Sequence, residues 1–373
     1  MKKIIVNSIS LRGSLNGISR YILCLFENIL KNDNLDVEFF YGTFFSKKLC
    51  IESQINKNLL AATKSLPFYY FLRELYVSWS IKRKIVAKNC IYHNPSFISY
   101  DLDIPIITNI HDISFIKYPN FHPKKRVDFL TKHINRSVEK SDYIIADCDY
   151  IREEIIDYFK INPDRVVSIP LGVGINFKKN PKDIVEKFIN PYGLKYKKYF
   201  LSVSTIEPRK NIISAIKAYS VLPEYIKKEF PYVIVGMNGW LNDEFFHLIE
   251  PLVKKKYVKV LGFLDDSFLP LIYSGAKIFI YPSIYEGFGL PILESFSSGT
   301  PVITSNTSSM KEIAKNYAHL IDPYDVDSIN DGIIRIVENS SYEKKLTEKG
   351  YRRAKIYTWE KTAKNTINLY NRF

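Results

Sequence analysis

The sequence predicts an α/β protein whose parallel sheets are divided between two domains. At 373 residues and 46% hydrophobic content, the chain is long enough for two domains of ordinary size, each with its own core. Short apolar runs alternate with segments of helical period through both halves. This alternation is typical of parallel strands joined by crossover helices, and no internal repeat or low-complexity tract interrupts it.

The N-terminal half offers two loops at the ends of predicted strands. Lys3–Val6 is the first strand, and the glycine-bearing loop Gly13–Tyr21 leads into an amphipathic helix at Tyr21–Leu30. Most such loops are simple turns, so the glycines alone are a weak sign of phosphate binding. Ile106–Ile110 is another strand, ending at His111. An isolated histidine is usually structural, but ligands bind at the carboxyl ends of strands in open α/β sheets, which supports a functional role here.

The second half is predicted to form one Rossmann-like unit behind a polar linker. The linker is the proline-containing stretch Asn180–Lys198, which divides the chain into domains of residues 1–190 and 191–357. Tyr199–Thr205 is the first strand of the second domain. The later strands interleave with helices and are predicted at Tyr232–Val235, Val258–Leu261, Lys277–Ile280, Pro301–Thr304 and Ala318–Ile321.

Two cations, Arg209 and Lys210, lie where a helix begins. They belong to the turn Ile206–Asn211, and the helix that follows is marked by the periodic apolar residues Ile212, Ile213, Ala215, Ile216 and Tyr219. The helix dipole disfavours a cation at this end by ~0.3–1 kcal/mol, unless an anion lies between the cation and the helix. A bound diphosphate would supply that anion. The alternative is that both are solvated surface cations.

Two glutamates, Glu286 and Glu294, flank a glycine loop that follows an apolar strand and precedes a helix. Gly287 and Gly289 lack Cβ atoms, so the backbone of the loop can approach an anion closely. The amides that can reach a phosphate at the N-terminus of this helix are those of Phe288, Gly289 and Leu290. Strand, loop and helix together indicate an active site. The alternative is that Glu294 only complements the helix dipole and that Glu286 is a solvated loop residue.

Both motifs resemble those of the retaining glycosyltransferases of family 4, which have the GT-B fold. The resemblance rests on the Glu-x7-Glu spacing from Glu286 to Glu294 and on the turn Glu207–Asn211. It implies two Rossmann-like domains whose parallel sheets face each other across a cleft. It also implies transfer of a sugar from a nucleotide-diphosphate donor with retention of configuration, without a metal ion or cofactor.

The resemblance assigns roles to individual residues. Glu286 is expected to face the donor sugar, Glu294 to hold the ribose hydroxyls, and His111 to lie beside the donor sugar. Together with Arg209 and Lys210, which are expected to grip the diphosphate, Glu286 and His111 form the expected catalytic set. The residues expected to bind the donor are Gly17, Arg209, Lys210, Gly236, Phe263, Leu264, Glu286, Gly287, Phe288, Gly289, Leu290 and Glu294.

The resemblance also covers the two ends of the chain. In the family a loop at the position of Gly17, usually Gly-Gly, covers the donor diphosphate and touches the acceptor. Here Asn16 replaces the first glycine. The final helix, residues 358–373, is expected to cross back onto the first domain.

The block around His111 looks most like mannosyl- and rhamnosyltransferases that build O-antigen and other bacterial surface polysaccharides. This favours GDP-mannose as the donor and a glycan or lipid-linked glycan as the acceptor. A UDP- or dTDP-sugar carrying rhamnose, glucose or N-acetylglucosamine is the alternative donor. A noncatalytic nucleotide-sugar or polyanion-binding protein of the same fold is the competing class, because fold alone does not fix function.

The positive charge of the chain suggests anionic partners. The sequence has 53 Lys and Arg against 39 Asp and Glu, a formal net charge of +14. Without a zinc-finger, RNA-binding or helix-turn-helix pattern, nucleic acid explains this charge less well than phosphorylated substrates or a membrane surface. The aromatic and basic segment 68–84 is predicted to contact an anionic membrane, with an ordinary packed helix as an equal alternative. The protein is therefore expected in the cytoplasm, at the inner face of the membrane.

No metal site or disulfide is predicted. Cys24, Cys50, Cys90 and Cys148 have no metal-like or CxxC spacing and follow no signal peptide, which predicts reduced thiols in a cytosolic protein. The triplets Asp101–Asp103 and Asp147–Asp149 have the pattern with which another glycosyltransferase fold binds a divalent ion. Neither triplet is expected to have a supporting acidic or histidine partner nearby, so both are interpreted as structural.

Overall fold

The computed structural model describes residues 3–13, 17–32, 35–51, 79–83 and 90–373. Its first sheet consists of β1 Lys3–Asn7, β2 Asp36–Phe40, β3 Phe45–Ser46, β4 Cys90–Asn94, β5 Ile106–Asn109, β6 Tyr143–Ala146 and β7 Val166–Ser168. The strand order is β3-β2-β1-β4-β5-β6-β7. All neighbours are parallel except the edge pair β2 and β3.

The second sheet is parallel throughout. It consists of β8 Phe200–Val203, β9 Tyr232–Val235, β10 Val258–Gly262, β11 Ile278–Tyr281, β12 Val302–Ser305 and β13 His319–Ile321. The order is β10-β9-β8-β11-β12-β13. Because neighbouring strands run in the same direction, the loops after β8 and β11 open at one edge of the sheet. That edge carries both sequence motifs of the second half.

Helices connect the strands in both halves. Those of the first half are α1 Gly17–Ile29, α2 Ser114–Lys117, α3 Lys124–Lys140 and α4 Asp149–Phe159, and α5 Lys182–Ile189 follows before the second sheet. Those of the second half are α6 Ile212–Ser220, α7 Glu224–Glu229, α8 Asp243–Lys254, α9 Leu269–Gly275, α10 Leu290–Ser297, α11 Ser308–Ala314, α12 Val326–Glu338, α13 Ser340–Ala354 and α14 Trp359–Tyr370.

The strands form where the sequence places continuous apolar runs. Ile4, Ile5 and Val6 of β1 are fully buried, and every residue of β9 and β11 is buried. Burial on both faces explains why these strands show no alternation of apolar and polar residues. The strand β9 has its predicted bounds, and the other predicted strands agree within one or two residues at each end.

Helix α1 begins earlier than predicted, at Gly17 instead of Tyr21. The additional turn is anchored by Ser19, whose buried Oγ donates a hydrogen bond to the carbonyl of Ser10 at 2.8 Å. Gly17 is therefore the first helical residue and not part of the preceding loop, and Asn16 lies outside the described residues.

The predicted linker Asn180–Lys198 contains α5. Its Val185 and Ile189 are fully buried and pack against Gly275 of α9. The two apolar residues are four positions apart and so share one helix face, a sign of helix that the polar composition of the stretch concealed. The domain boundary after residue 190 stays a prediction.

The C-terminal helix α14 packs on α1 and is tied to the first sheet by a buried polar chain. The Tyr370 hydroxyl lies 2.6 Å from His93 Nδ1, and His93 Nε2 lies 2.7 Å from Asn109 Oδ1. Asn109 Nδ2 donates to the hydroxyl of Tyr21, in α1, at 2.9 Å. Burial lowers the pKa of His93 to about 4, so this histidine is neutral near pH 7.

Most of the predicted membrane segment 68–84 lies outside the described residues, which include only 79–83 of it. Within 79–83, the Trp79 side chain is 53% exposed, and the guanidinium of Arg83 lies 4.7 Å from the centre of its ring. Among the helices of the described residues, none is both long and apolar enough to cross a membrane.

Gly172 allows the start of α14 to lie close against the first half, because it has no side chain. A Cβ added there would lie 2.2 Å from the backbone nitrogen of Trp359, so Gly172→Ala must displace the start of α14. We expect it to lower the free energy of unfolding by ~1–3 kcal/mol, as overpacking usually does, in a chemical denaturation experiment. Gly13→Ala is the control, because nothing lies within 4 Å of its added Cβ. Equal stability of the two variants would contradict this account of the contact.

Candidate active site

A buried group of charges joins the two motifs of the second half. Arg209 and Lys210 lie in the turn before α6, and Glu286 lies in the loop after β11. Glu286 Oε2 accepts a hydrogen bond from Arg209 Nη1 at 2.7 Å, and its Oε1 accepts one from Lys210 Nζ at 2.7 Å. Glu207 Oε1 accepts from Arg209 Nη2 at 2.9 Å. We call Glu207, Arg209, Lys210 and Glu286 the ion cluster.

Burial and mutual contact set the charges of the ion cluster. Its four side chains are between 5% and 13% exposed. Burial alone would raise the pKa of Glu286, but Arg209 and Lys210 lower it to about 2. Burial opposes the charge of Arg209, yet Glu286 and Glu207 raise its pKa. Burial, followed by repulsion from Arg209, lowers the pKa of Lys210. The cluster contains two acidic and two basic side chains in mutual contact, so their formal charges cancel.

The protein itself supplies an anion for the two cations. The alternative that Arg209 and Lys210 are solvated surface residues is wrong, and so is the alternative that Glu286 is a solvated loop residue. One hydrogen-bond donor stays open, because Arg209 Nε is buried and has no partner among the described residues. A buried unsatisfied donor costs about 1–3 kcal/mol, so the cluster retains the capacity for a further acceptor.

The Glu286 loop is fixed from several directions. The Glu286 N–H donates to Ser308 Oγ at 3.1 Å, and Ser309 Oγ donates to the Glu286 carbonyl at 2.8 Å. The Tyr281 hydroxyl donates to Glu286 Oε1 at 2.8 Å. Gly289, the residue before α10, has φ +103°, a conformation that favours glycine. These contacts hold the carboxylate beside the N-terminus of α10, where the Phe288 side chain is buried.

The same loop touches the first half of the chain at His111. A Cβ added to Gly287 would lie 2.2 Å from the carbonyl oxygen of His111, so this contact requires glycine. The His111 ring packs edge-on against Tyr21, with the ring centres 5.2 Å apart. The predicted catalytic residue His111 and the Glu286 loop are thus brought together across the two halves.

His111 forms a buried pair with Asp147. His111 Nδ1 lies 2.9 Å from Asp147 Oδ2. Burial opposes the charge of His111, but Asp147 raises its pKa, while burial raises the pKa of Asp147. The prediction that neither Asp-x-Asp triplet has a histidine partner is wrong for Asp147. Asp147 follows β6, the neighbour of β5, so the parallel pairing places both residues at one sheet edge.

Among the described residues, no group of three or more His, Cys, Asp or Glu side chains is arranged to hold a metal ion. Asp101 instead lies 3.0 Å from Arg136 and 3.2 Å from Lys140, an ion-paired surface position. All four cysteines are free thiols.

Glu294 lies inside α10, buried beneath Arg20 from α1. Its Oε2 accepts a hydrogen bond from the Tyr273 hydroxyl at 3.1 Å, and its Oε1 lies 3.7 Å from Arg20 Nη1. Arg20 Nη2 also lies 2.5 Å from Asp266, in the loop after β10. Burial raises the pKa of Glu294 to about 7, with Arg20 opposing that rise. Arg20 therefore links the first half to the glutamate predicted to hold ribose.

The other predicted donor-binding residues are not members of the ion cluster, but one of them lies beside its turn. Gly236 follows β9, the neighbour of β8, and a Cβ there would lie 1.9 Å from the carbonyl oxygen of Ser204, three residues before Glu207. Phe263 and Leu264 follow β10, three strands from β11, and Phe263 is 66% exposed. Gly17 has nothing within 4 Å of an added Cβ, so the described structure does not require glycine there.

Sequence reasoning missed four residues of this site. They are Arg20, Glu207, Asp147 and Tyr281. Glu207 stands in the recognised turn and Asp147 directly after a strand, so strand-end position was a usable sign for both. Tyr281, the last residue of β11, has the same sign. Arg20 has none, because its contact with Glu294 depends on how the chain folds back.

Comparison with known families matches both halves of the chain to glycosyltransferases. The family described as Glycosyl transferases group 1 matches residues 185–353, and Glycosyltransferase Family 4 matches residues 16–177. The O-antigen chain mannosyltransferase B of Escherichia coli is 32% identical over 381 residues, covering 99% of each chain. The O-antigen chain mannosyltransferase RfbU of Salmonella typhimurium is 28% identical and covers 62% of each chain.

Solved structures show the same fold. Anabaena Alr3699/HepE, crystallised with UDP and glucose, superimposes with a TM-score of 0.75 at 17% identity, covering 100% of both chains. WaaG, involved in lipopolysaccharide biosynthesis, gives a TM-score of 0.71 at 16% identity, covering 98% of this chain and 99% of WaaG. Fold and matches together define a GT-B glycosyltransferase. The chain belongs to the family 4 glycosyltransferases, with a second half of the group 1 type.

The raised pKa of Glu294 predicts a pH-dependent cost. From its usual value of 4.5 to about 7 in the folded protein, the shift favours the protonated folded form, so its stabilisation is complete below pH 4.5 and lost as pH rises through 7. The free energy of unfolding of Glu294→Gln should therefore rise by ~3 kcal/mol relative to that of the parent as pH rises from 4.5 to 7, measured by denaturant unfolding at each pH. Glu348→Gln, on the surface of α13, should follow the parent. If the free energies of unfolding of Glu294→Gln and the parent change with pH in the same way, the raised pKa of Glu294 is contradicted.

Proposed function

We propose that this glycosyltransferase binds a nucleotide-diphosphate sugar at the ion cluster and transfers the sugar with retention of configuration, without a metal ion. The observation that carries the proposal is the placement of two adjacent cations, Arg209 and Lys210, against the glycine loop before α10. The open donor at Arg209 Nε adds a hydrogen bond that a phosphate oxygen could accept. The amides at the N-terminus of α10 lie at the positive end of its dipole.

The diphosphate would compete with Glu286 for the two cations. It carries more negative charge than a carboxylate and presents several oxygens to the planar Arg209 fork. In this exchange Glu286 leaves Arg209 and Lys210 and turns to the donor sugar. There its carboxylate orients sugar hydroxyls and stabilises positive charge at the anomeric carbon. Donor binding thus produces the catalytic position of Glu286.

Transfer would then follow a same-face exchange. The bond between the anomeric carbon and the β-phosphate oxygen breaks, and the acceptor hydroxyl oxygen bonds to the same face of that carbon. The leaving phosphate accepts the hydroxyl proton. Arg209 and Lys210 stabilise the negative charge where it develops, on the β-phosphate. His111, held by Asp147, is proposed to contact the sugar from the opposite side of the cleft.

The donor and acceptor are proposed from the relatives. Full-length similarity to an O-antigen chain mannosyltransferase supports GDP-mannose as the donor and a lipid-linked O-antigen glycan as the acceptor. UDP- and dTDP-sugars are the alternative donors. A cytoplasmic protein that extends such a glycan has to reach the membrane surface, and we propose segment 68–84 for that contact, including the exposed Lys82 and Arg83.

Two measurements test the proposal. Thermal denaturation with GDP, UDP and dTDP should show stabilisation by one of them, which identifies the base. Proton NMR of the product formed from GDP-mannose and a manno-oligosaccharide should show an α-linkage, the configuration of the donor. A β-linked product would exclude retention. Nucleotide binding without transfer from any of the three donor classes would favour the noncatalytic alternative.

Removing one cation of the ion cluster should lower turnover more than stability. Lys210→Ala leaves Glu286 bound to Arg209, so the variant should stay folded while kcat falls by about 10²–10³, the usual loss for one preorganised charge stabiliser. Lys217→Ala is the matched control, because Lys217 is an exposed cation of α6. A radiochemical transfer assay measures kcat. If kcat of Lys210→Ala equals that of the parent, Lys210 has no part in the mechanism.

Activity should persist in excess EDTA. Neutralisation of the diphosphate is assigned to Arg209, Lys210 and the α10 amides, none of which needs a divalent ion. The assay compares initial rates after dialysis against EDTA with rates after adding Mg²⁺ or Mn²⁺. Complete loss of activity that either ion restores would contradict metal independence.

A further inference from the structure

A cavity of about 860 Å³ opens beside the Glu286 loop. We call it the side cavity. Its walls come from both halves of the chain: Tyr118 and Tyr150 belong to the first half, and Asn306, Thr307, Lys311 and Asn316 belong to the second. The volume is within the range of about 300–1,000 Å³ typical of ligand pockets. The ion cluster does not line it, although Ser308 also binds the Glu286 amide.

Aromatic rings form part of the side cavity. The Tyr118 ring centre lies 5.4 Å from that of Tyr285 and 5.5 Å from that of Phe121, on which it stacks. Tyr118 and Tyr150 are half-buried, so part of each side chain reaches solvent. An aromatic face packs well against the C–H face of a pyranose, whose hydroxyl groups point outward from the ring edge.

Polar groups of both hydrogen-bonding types surround these rings. Asn306, Thr307 and Asn316 carry amide and hydroxyl groups that both donate and accept. Each hydroxyl of a sugar likewise donates one hydrogen bond and accepts others. The lining therefore matches a polyhydroxyl ligand better than an apolar one.

The side cavity carries charges of both signs. Lys311, Lys315 and Glu312 lie on one wall, and Asp149 and Glu153 lie on the facing wall, so two cations stand against three carboxylates. A phosphate would be attracted by the lysines and repelled by the carboxylates. An uncharged glycan can hydrogen-bond to both walls, so the charge balance favours it.

We infer that the side cavity binds uncharged sugar units of the acceptor glycan, next to the unit that reacts at Glu286. This inference rests on the glycosyltransferase function proposed above and adds a subsite for a glycan chain. Glu312 Oε2 accepts a hydrogen bond from the Tyr150 N–H at 2.8 Å, which joins α11 to the start of α4 at the cavity wall. The subsite is therefore complete only when the two halves are in contact.

Saturation-transfer NMR with tetrasaccharides of mannose, glucose and N-acetylglucosamine tests the inference without a donor. At least one should bind the parent. Tyr118→Ala and Lys311→Ala should each weaken that binding about tenfold, because each removes one cavity contact. Tyr158→Ala and Lys345→Ala are matched controls with exposed side chains outside the cavity, and they should bind like the parent. Lys311 is exposed, so its variant reports even if Tyr118→Ala unfolds.

Nucleoside diphosphate binding by the same variants separates the two proposals. GDP, UDP or dTDP affinity should be unchanged in Tyr118→Ala and Lys311→Ala. The inference is wrong if no tetrasaccharide binds the parent. It is also wrong if Lys311→Ala and a folded Tyr118→Ala bind the tetrasaccharide as tightly as the parent does. If tetrasaccharide binding behaves as expected while no nucleoside diphosphate binds, the side cavity stands and the proposed donor site fails.

Discussion

Four charges can be buried at the edge of the second sheet only because they neutralise one another. Arg209 and Lys210 bind the two oxygens of Glu286, and Glu207 binds the other arm of Arg209. A buried charge left with no partner costs about 3–5 kcal/mol, but Arg209 and Glu286 each have two partners and keep one when Glu207 or Lys210 is removed. The ion cluster therefore fixes the turn before α6 against the loop before α10. In the proposed mechanism, the donor diphosphate replaces Glu286 as the anion bound by Arg209 and Lys210.

Contacts between the two halves complete this arrangement. Gly287 approaches the His111 carbonyl so closely that a side chain is excluded. The Tyr285 hydroxyl donates to Glu154 Oε2 at 2.6 Å and accepts from the Ile113 N–H at 3.3 Å, so the residue before Glu286 is held by the first half. Arg20 adds a second link, to Glu294 and Asp266. The carboxyl ends of both sheets thus meet at one cleft, where chemistry in a GT-B enzyme takes place.

Sequence reasoning succeeded where a local pattern carries the information. Buried strands show as apolar runs, and the strand-to-helix turns placed Arg209, Lys210 and Glu286 at one sheet edge before any contact was known. It failed where the partner is distant in the chain. The anion beside Arg209 was inferred to be a ligand, because nothing local shows that Glu286, 77 residues away, reaches it. The pairing of His111 with Asp147 was missed because it joins residues 36 positions apart on neighbouring strands. The helix inside the predicted linker was missed because the polar composition of that stretch concealed its apolar pair, Val185 and Ile189.

The central claim is that Glu286 and the donor diphosphate compete for the same two cations. Calorimetric titration of Glu286→Gln with the nucleoside diphosphate that stabilises the parent tests it directly. The account predicts that this variant binds the nucleotide at least as tightly as the parent, because Arg209 and Lys210 have lost their competing carboxylate, while its turnover falls. Circular dichroism at the titration temperature checks that the variant is folded. Weaker binding by a folded Glu286→Gln would contradict the exchange of partners.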